Sequence, residues 1–463
     1  MKNIFTAYFS IPLNRKIALT IVLIFTTIAI LDSTILKFTS YTSFELQPYW
    51  NMVIFVIFSI VFSLISSFMI FKAALYDRLY QKGWIKYFHI FILASQLATI
   101  SIIIVILFQM TVYEKYSIFF LRLENLLAYA TSLIFIVSLS LTFIKWFRSK
   151  RNYVAYFFLI SFLLLGANVI VSFFYLESYL SHPISETVRP YNLITFLTAF
   201  RVLNFTQNLS LISDILSTLS FIFMWVSTLI LLSEYSRRIG KVKYAILLVI
   251  PLLYYLFPLE GYFGNTFRNL VFSSPFLNFY LVIFSATTQI GALIFSLSFF
   301  VASKLVRNRS VRHYTLISFV GMAMVFGSLE IATLQYAVYP PFGLITQAFL
   351  PLGSYLLFIG IFTSASYVSK DRNLRREFYK TANSNLELLK AIGVTKMEND
   401  LMNRYKTLRK FYREAGKNPE EDKDNIKEVL QEVLRVMDKD DVREILHDVL
   451  NDVYSKALLK RNK

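Results

Sequence analysis

Ten apolar stretches, each bounded by charge, constrain this chain more than any other feature, near residues 17–36, 51–71, 88–112, 127–144, 154–175, 211–233, 244–258, 279–301, 314–336 and 344–368. A helix crosses the hydrocarbon core of a bilayer with about 20 apolar residues, and several stretches reach that length. The seventh is short and contains Pro251. Charged residues make up 16% of the chain, against roughly 25% in an average soluble domain. Residues 1–368 hold too few of them to clothe a soluble core. The expectation is an all-α polytopic membrane helix bundle of about ten spans, with the lipid bilayer as its solvent. The first stretch, "IALTIVLIFTTIAILDSTIL", is too long for the core of a signal peptide and no small-residue cleavage site follows, so it is expected to be the first span.

Charge between the stretches alternates. One set of loops carries nineteen basic residues: Lys2, Arg15, Lys16, Lys72, Arg78, Lys82, Lys86, Lys145, Arg148, Lys150, Arg151, Arg237, Arg238, Lys241, Lys243, Lys304, Arg307, Arg309 and Arg312. The other set carries six: Lys37, Lys115, Arg122, Arg189, Arg201 and Arg268. Basic loops stay cytoplasmic, so both termini are expected in the cytoplasm of a cell membrane. The net charge of +18 then follows from topology and attraction to anionic lipid, worth about 1 kcal/mol per residue near the surface. Nucleic-acid binding is not expected, because the cations lie in separate short loops and form no aromatic-lined groove.

Several chemistries are excluded by what is missing. With no cysteine there is no disulfide, thiolate metal site or thiol nucleophile. His89, His182, His313 and His447 are far apart and show no metal-ligand spacing. No Gly-rich phosphate loop and no nucleophile–base pair is visible. No metal, no cofactor and no enzymatic activity is expected.

The polar residues inside the apolar stretches are the candidate site. Glu330 sits in "VFGSLEIATLQ", about six residues below the outer end of its span, or roughly 9 Å deep at 1.5 Å per residue. An ionised carboxylate at that depth must be paired, protonated or turned toward the bundle. Asp32 and Asp214 lie at comparable depth, and Arg201 is the nearest outer-loop counter-ion. Together they outline an outer-facing polar site for a small ligand or cation; the alternative is an acid that locks helices together. The longest outer segment, 176–210, separates two sets of five stretches, and its residues 191–205 read as an interfacial helix. Five plus five is the arithmetic of an inverted-repeat transporter. Glycine argues the other way, because the first four stretches contain neither glycine nor proline. The leading expectation is a non-enzymatic sensor or adaptor. A secondary transporter and a structural subunit of a larger membrane complex are the alternatives.

From Ser369 the long apolar runs stop, and residues 369–463 carry 22 basic and 18 acidic residues. This is expected to be a cytoplasmic helical tail. Gly393 ends its first helix, Thr395 and Glu398 form a capping box, and Asn418-Pro419-Glu420 opens a later helix. Ile426, Leu430, Val433 and Met437, then Val442, Leu446, Val449 and Val453, form two apolar stripes. Either the two arms cover each other or residues 418–458 pair with a second copy or a protein partner.

The tail also resembles one family. Ser369, Asp371, Leu388, Leu389, Ile392, Gly393, Met397 and Glu398 stand as in the tails of a group of multi-pass membrane proteins from ammonia-oxidising archaea. The resemblance spans "SKDRNLRREFYKTANSNLELLKAIGVTKMENDLMNRYKTLRK" and implies an archaeal cell membrane. The group carries no assigned biochemical function, so no catalytic or binding residue transfers.

Overall fold

The computed structural model describes residues 12–41, 48–75, 85–149, 153–180, 187–188, 204–232, 276–306, 308–332 and 339–370, with five positions between 242 and 249. Nine α-helices lie among the described residues: α1 Arg15–Tyr41, α2 Pro48–Leu75, α3 Ile85–Tyr113, α4 Ile118–Ser149, α5 Tyr153–Leu180, α6 Asn204–Leu232, α7 Phe276–Leu305, α8 Arg309–Ala332 and α9 Leu344–Lys370. A short ladder, β1 Tyr116–Ser117 against β2 Thr187–Val188, pairs antiparallel. Nine of the ten expected stretches coincide with these helices. The beginning of the other, 244–258, is seen only at isolated positions: the Tyr244 hydroxyl donates to the Leu229 carbonyl (2.9 Å), and Trp225 Nε1 donates to the Leu248 carbonyl (2.9 Å). The tail expected over 369–463 lies outside the described residues from 371 onward.

Seven of the helices, α1–α6 and α9, are long and apolar enough to cross a membrane, which fits a multi-pass integral membrane protein. Their surfaces support it. Ile57, Ile60 and Leu64 of α2, Leu97, Ile104 and Phe108 of α3, and Ile134, Val137 and Leu141 of α4 are exposed apolar side chains. In water such a surface aggregates; facing acyl chains it costs nothing. Aromatic residues stand exposed at the helix ends, Tyr49, Trp50 and Tyr113 at one end of the bundle and Tyr87 and Tyr153 at the other. Tyrosine and tryptophan favour the lipid headgroup level. Along α3 the 26-residue step from Tyr87 to Tyr113 spans about 39 Å, close to the ~40 Å thickness of a bilayer with its headgroups.

The helices run up and down, and cross-links fix their directions. Leu13 N, just before α1, donates to His313 Nδ1 near the start of α8 (2.8 Å). Ser66 Oγ of α2 donates to Gln96 Oε1 of α3 (2.7 Å), and Ser95 of α3 meets Thr131 of α4 (2.9 Å). Ser161 and Ser220 exchange hydrogen bonds between α5 and α6, and Gln289 Nε2 of α7 donates to the Gly327 carbonyl of α8 (2.8 Å). Arg15, Lys16, Lys72, Lys86, Lys145, Lys304, Arg309 and Arg312 consequently gather at one end, here the basic end. The β1–β2 ladder and the chain entering α9 lie at the opposite end.

At the centre stands α9. All of its apolar segment is buried in protein, against 33–50% for the other six membrane-length helices. It packs on α8, α4, α2, α3 and α1. The antiparallel α8–α9 pair approaches backbone to backbone. A Cβ on Gly321 would lie 2.4 Å from Leu357 N, and one on Gly360 would lie 2.7 Å from Ser318 N. Helices in lipid gain little from apolar burial between them, so small residues that allow this approach carry the association.

Candidate functional site

α9 begins without a local cap. Its first intrahelical bond runs from Gln347 N to the Gly343 carbonyl (3.0 Å), which makes Gly343 the N-cap. Gly343 has φ of 91°, a conformation suited to glycine, and no side chain with which to cap. Asp32 of α1 supplies the cap from across the bundle. Its carboxylate accepts from Gly343 N (2.8 Å), Thr346 N (3.2 Å) and Thr346 Oγ1 (2.5 Å). Negative charge at a helix N-terminus is stabilised by the free amides and the macrodipole. The Asp32 side chain is fully buried. Asp32 therefore reads as the clasp between α1 and α9.

Aromatic residues close the same end of the bundle. Tyr116 of β1, fully buried, stacks on Tyr339 with ring centroids 6.3 Å apart. The Tyr339 hydroxyl donates to the Met110 carbonyl (3.2 Å). Phe342 packs edge-on against Phe55 of α2 (6.1 Å). Burial raises the Tyr116 phenol above its ordinary range, with Tyr339 adding to the effect, so both rings stay neutral. Arg122 and Glu177 pair between the ends of α4 and α5 in a half-exposed position, where such pairs contribute about 0–1 kcal/mol.

Beneath this closure lies a buried polar layer. Glu124, six residues into α4, is fully buried, and neither carboxylate oxygen has a hydrogen-bond partner. Gln347 of α9 and Thr99 of α3 are likewise fully buried, and no polar side-chain atom of either is bonded. Helix register brings Glu124 and Gln347 to one level and Thr99 to within about a turn of it. Phe135 of α4 lies against Phe358 of α9 (6.2 Å). Glu124 precedes Phe135 by eleven residues and Gln347 precedes Phe358 by eleven; that is about three helical turns, which returns each side chain to the same face. The two helices run in the same direction, so Glu124 and Gln347 occupy the facing surfaces of α4 and α9. Thr99 lies one turn beyond Ser95, whose hydroxyl touches Thr131 of α4. Between Glu124 and Thr131 stands Ala128, small enough for close helix approach. Pro351 has no N–H to donate to the Gln347 carbonyl four residues earlier.

The sequence-derived site is only partly brought together. Asp32 is buried against α9, whereas Asp214 is exposed on α6. Glu330 belongs to α8, but its side chain, like Arg201, lies outside the described residues. So do the tail stripe Ile426, Leu430, Val433, Met437, Val442, Leu446, Val449 and Val453, and residues 191–203 of the expected interfacial helix. The sequence reading does not reach Glu124, because the fourth apolar stretch begins at 127. The helix begins at Ile118. The available signal was the absence of any helix breaker in "IFFLRLENLLAYA". Among the described residues there is no group of three or more His, Asp or Glu side chains able to hold a metal ion.

The fold and this layer fit a class, multi-pass helical membrane proteins with a polar interior. Beyond the class, the chain matches no protein-family model, no curated protein and no solved structure.

Proposed function

We propose that the protein is a non-enzymatic membrane sensor or adaptor, in which α9 couples the opposite end of the bundle to residues 371–463. One observation carries the reading: among the described residues, α9 alone of the membrane-length helices is fully enclosed in protein. Its first turn is clasped by Asp32, and its last residue, Lys370, leads straight into the charged tail. A helix held this way transmits a shift or rotation at one end to the other with little loss, because packed cores move between discrete arrangements. The basic end is assigned to the cytoplasm by the positive-inside rule. The membrane is the cell membrane, an archaeal one on the resemblance of the tail.

Ten crossings belong to the same proposal. α6 ends at the basic end, while α7 begins at the opposite end and packs beside α6 through Phe221 and Phe295 (4.6 Å). On this proposal the expected span over 244–258 joins those two ends.

Removing 369–463 tests the coupling. The truncated protein should insert and fold as the full chain does, yet lose its stoichiometric cytoplasmic partner in mild-detergent purification from native membranes. Unchanged partners and an unchanged cellular response would overturn the sensor reading. The secondary-transporter reading is favoured by one observation, the unpartnered polar layer around Glu124 with a proline beside it in α9. It predicts solute uptake into proteoliposomes that survives the same truncation.

A further inference from the structure

A carboxylate sealed from solvent with no donor on either oxygen is the most expensive feature of this interior. Transfer of an unpaired ionised carboxylate into an apolar environment is prohibitive unless something compensates its charge. Glu124 has no such compensation from protein: Arg122, two residues earlier, is engaged with Glu177 at the rim, and the Glu124 oxygens accept no hydrogen bond. Its surroundings include the unbonded Tyr129 hydroxyl, and the facing helices carry further unpartnered polar side chains. Gln347 offers a side-chain amide whose oxygen and nitrogen both lack partners, and its main-chain oxygen receives no helical N–H from Pro351. Thr99 offers a hydroxyl with no partner.

We propose that Glu124, together with the oxygens of Gln347 and Thr99, holds a sodium ion between α3, α4 and α9. The donor set decides the chemistry. Hard oxygen ligands suit alkali and alkaline-earth ions, and neither sulfur nor imidazole is present for a transition metal. One carboxylate balances one positive charge. A divalent ion would leave a net charge in an apolar interior, where charges are weakly screened. Close packing of the layer, with Ala128 between Glu124 and Thr131 on α4 and full burial of all three ligands, favours the small sodium ion over potassium. Other ionisable groups facing α9 are engaged elsewhere: Asp32 with the α9 N-terminus, His89 with Tyr355 two turns toward the basic end, and Tyr314 stacked on Tyr367. This site is independent of whether the bundle signals or transports.

Thermal unfolding of the full-length protein in detergent tests the assignment, with sodium, potassium or choline chloride at constant ionic strength and fixed pH. Binding to the folded state stabilises it by mass action, so the wild-type midpoint should rise by roughly 2–5 °C as sodium replaces choline from about 1 to 150 mM, and then saturate. Potassium should leave it unmoved. Glu124→Gln, nearly the same shape with no charge, should abolish the sodium shift, and Gln347→Leu should reduce it. A wild-type midpoint equal in all three salts overturns the proposal. So does a Glu124→Gln protein that keeps the full shift. A midpoint that follows pH and ignores sodium gives the carboxylate a proton in place of the ion, and overturns it equally. Should Glu124→Gln fail to fold, the wild-type salt series and Gln347→Leu decide between the same outcomes.

Discussion

Asp32 shows how much one side chain holds at this protein's centre. Three donors from the start of α9 converge on it, two of them main-chain amides that have no partner inside their own helix. Asp32→Ala removes all three acceptances and leaves those donors buried. It should destabilise the bundle by about 2–4 kcal/mol, since hydrogen bonds to charged groups contribute ~1.5–3 kcal/mol and helix caps ~1 kcal/mol. Asp32→Asn keeps an acceptor and loses the charge, so it should cost about half as much. Unfolding midpoints of the two variants in detergent check the order. If Asp32→Ala behaved as wild type, the clasp would have no part in holding α9. Loss of ligand response in a fully stable Asp32→Asn would instead restore Asp32 to the outer-facing site expected from sequence.

Between elements, the α8–α9 contact depends on the absence of side chains. A methyl group on Gly321 would meet Leu357 N at 2.4 Å and the Gly353 carbonyl at 2.8 Å, both backbone atoms with nowhere to move. Gly321→Ala should therefore push the pair apart and cost about 3 kcal/mol, at the upper end of overpacking penalties. Gly166 of α5 provides the contrast. Its nearest neighbour to an added Cβ is Ile136 Cγ2 at 3.5 Å, an ordinary contact. Gly166→Ala should be neutral or stabilising by up to about 1 kcal/mol through helix propensity. Fluorescence-detected size exclusion after graded heating reads both variants; equal losses would show that glycine at the α8–α9 contact is incidental. Enclosure also lets α8 be less apolar than the membrane-length helices. Its side chains from Val311 to Leu329 are almost all buried in protein, so the helix presents little surface to lipid.

For the whole molecule the testable quantity is sidedness. The chain has no cysteine, so single introduced thiols report without background. Tyr49 and Tyr113 are exposed at the end opposite the basic loops, Tyr153 at the basic end. Tyr49→Cys and Tyr113→Cys should react with an impermeant maleimide added outside intact cells, and Tyr153→Cys only after lysis. Labelling of all three from outside would remove the orientation on which the coupling of α9 to the tail depends.

Apolar length and loop charge, both local properties, determined by themselves that this chain forms helices of membrane length, where most of them lie and how basic ends alternate with neutral ones. Solvent enforces those features one segment at a time: in lipid every backbone amide must bond within its own helix, whatever the neighbours. Which helix sits in the middle was decided only by tertiary packing, since α9 and α6 are similarly apolar yet one is enclosed and the other mostly exposed. The same holds for the acids. Asp32, Glu124 and Asp214 are alike in sequence, each a carboxyl group near the end of an apolar run, and only three-dimensional neighbours make the first a clasp, the second a buried group with no hydrogen-bond partner and the third an exposed group.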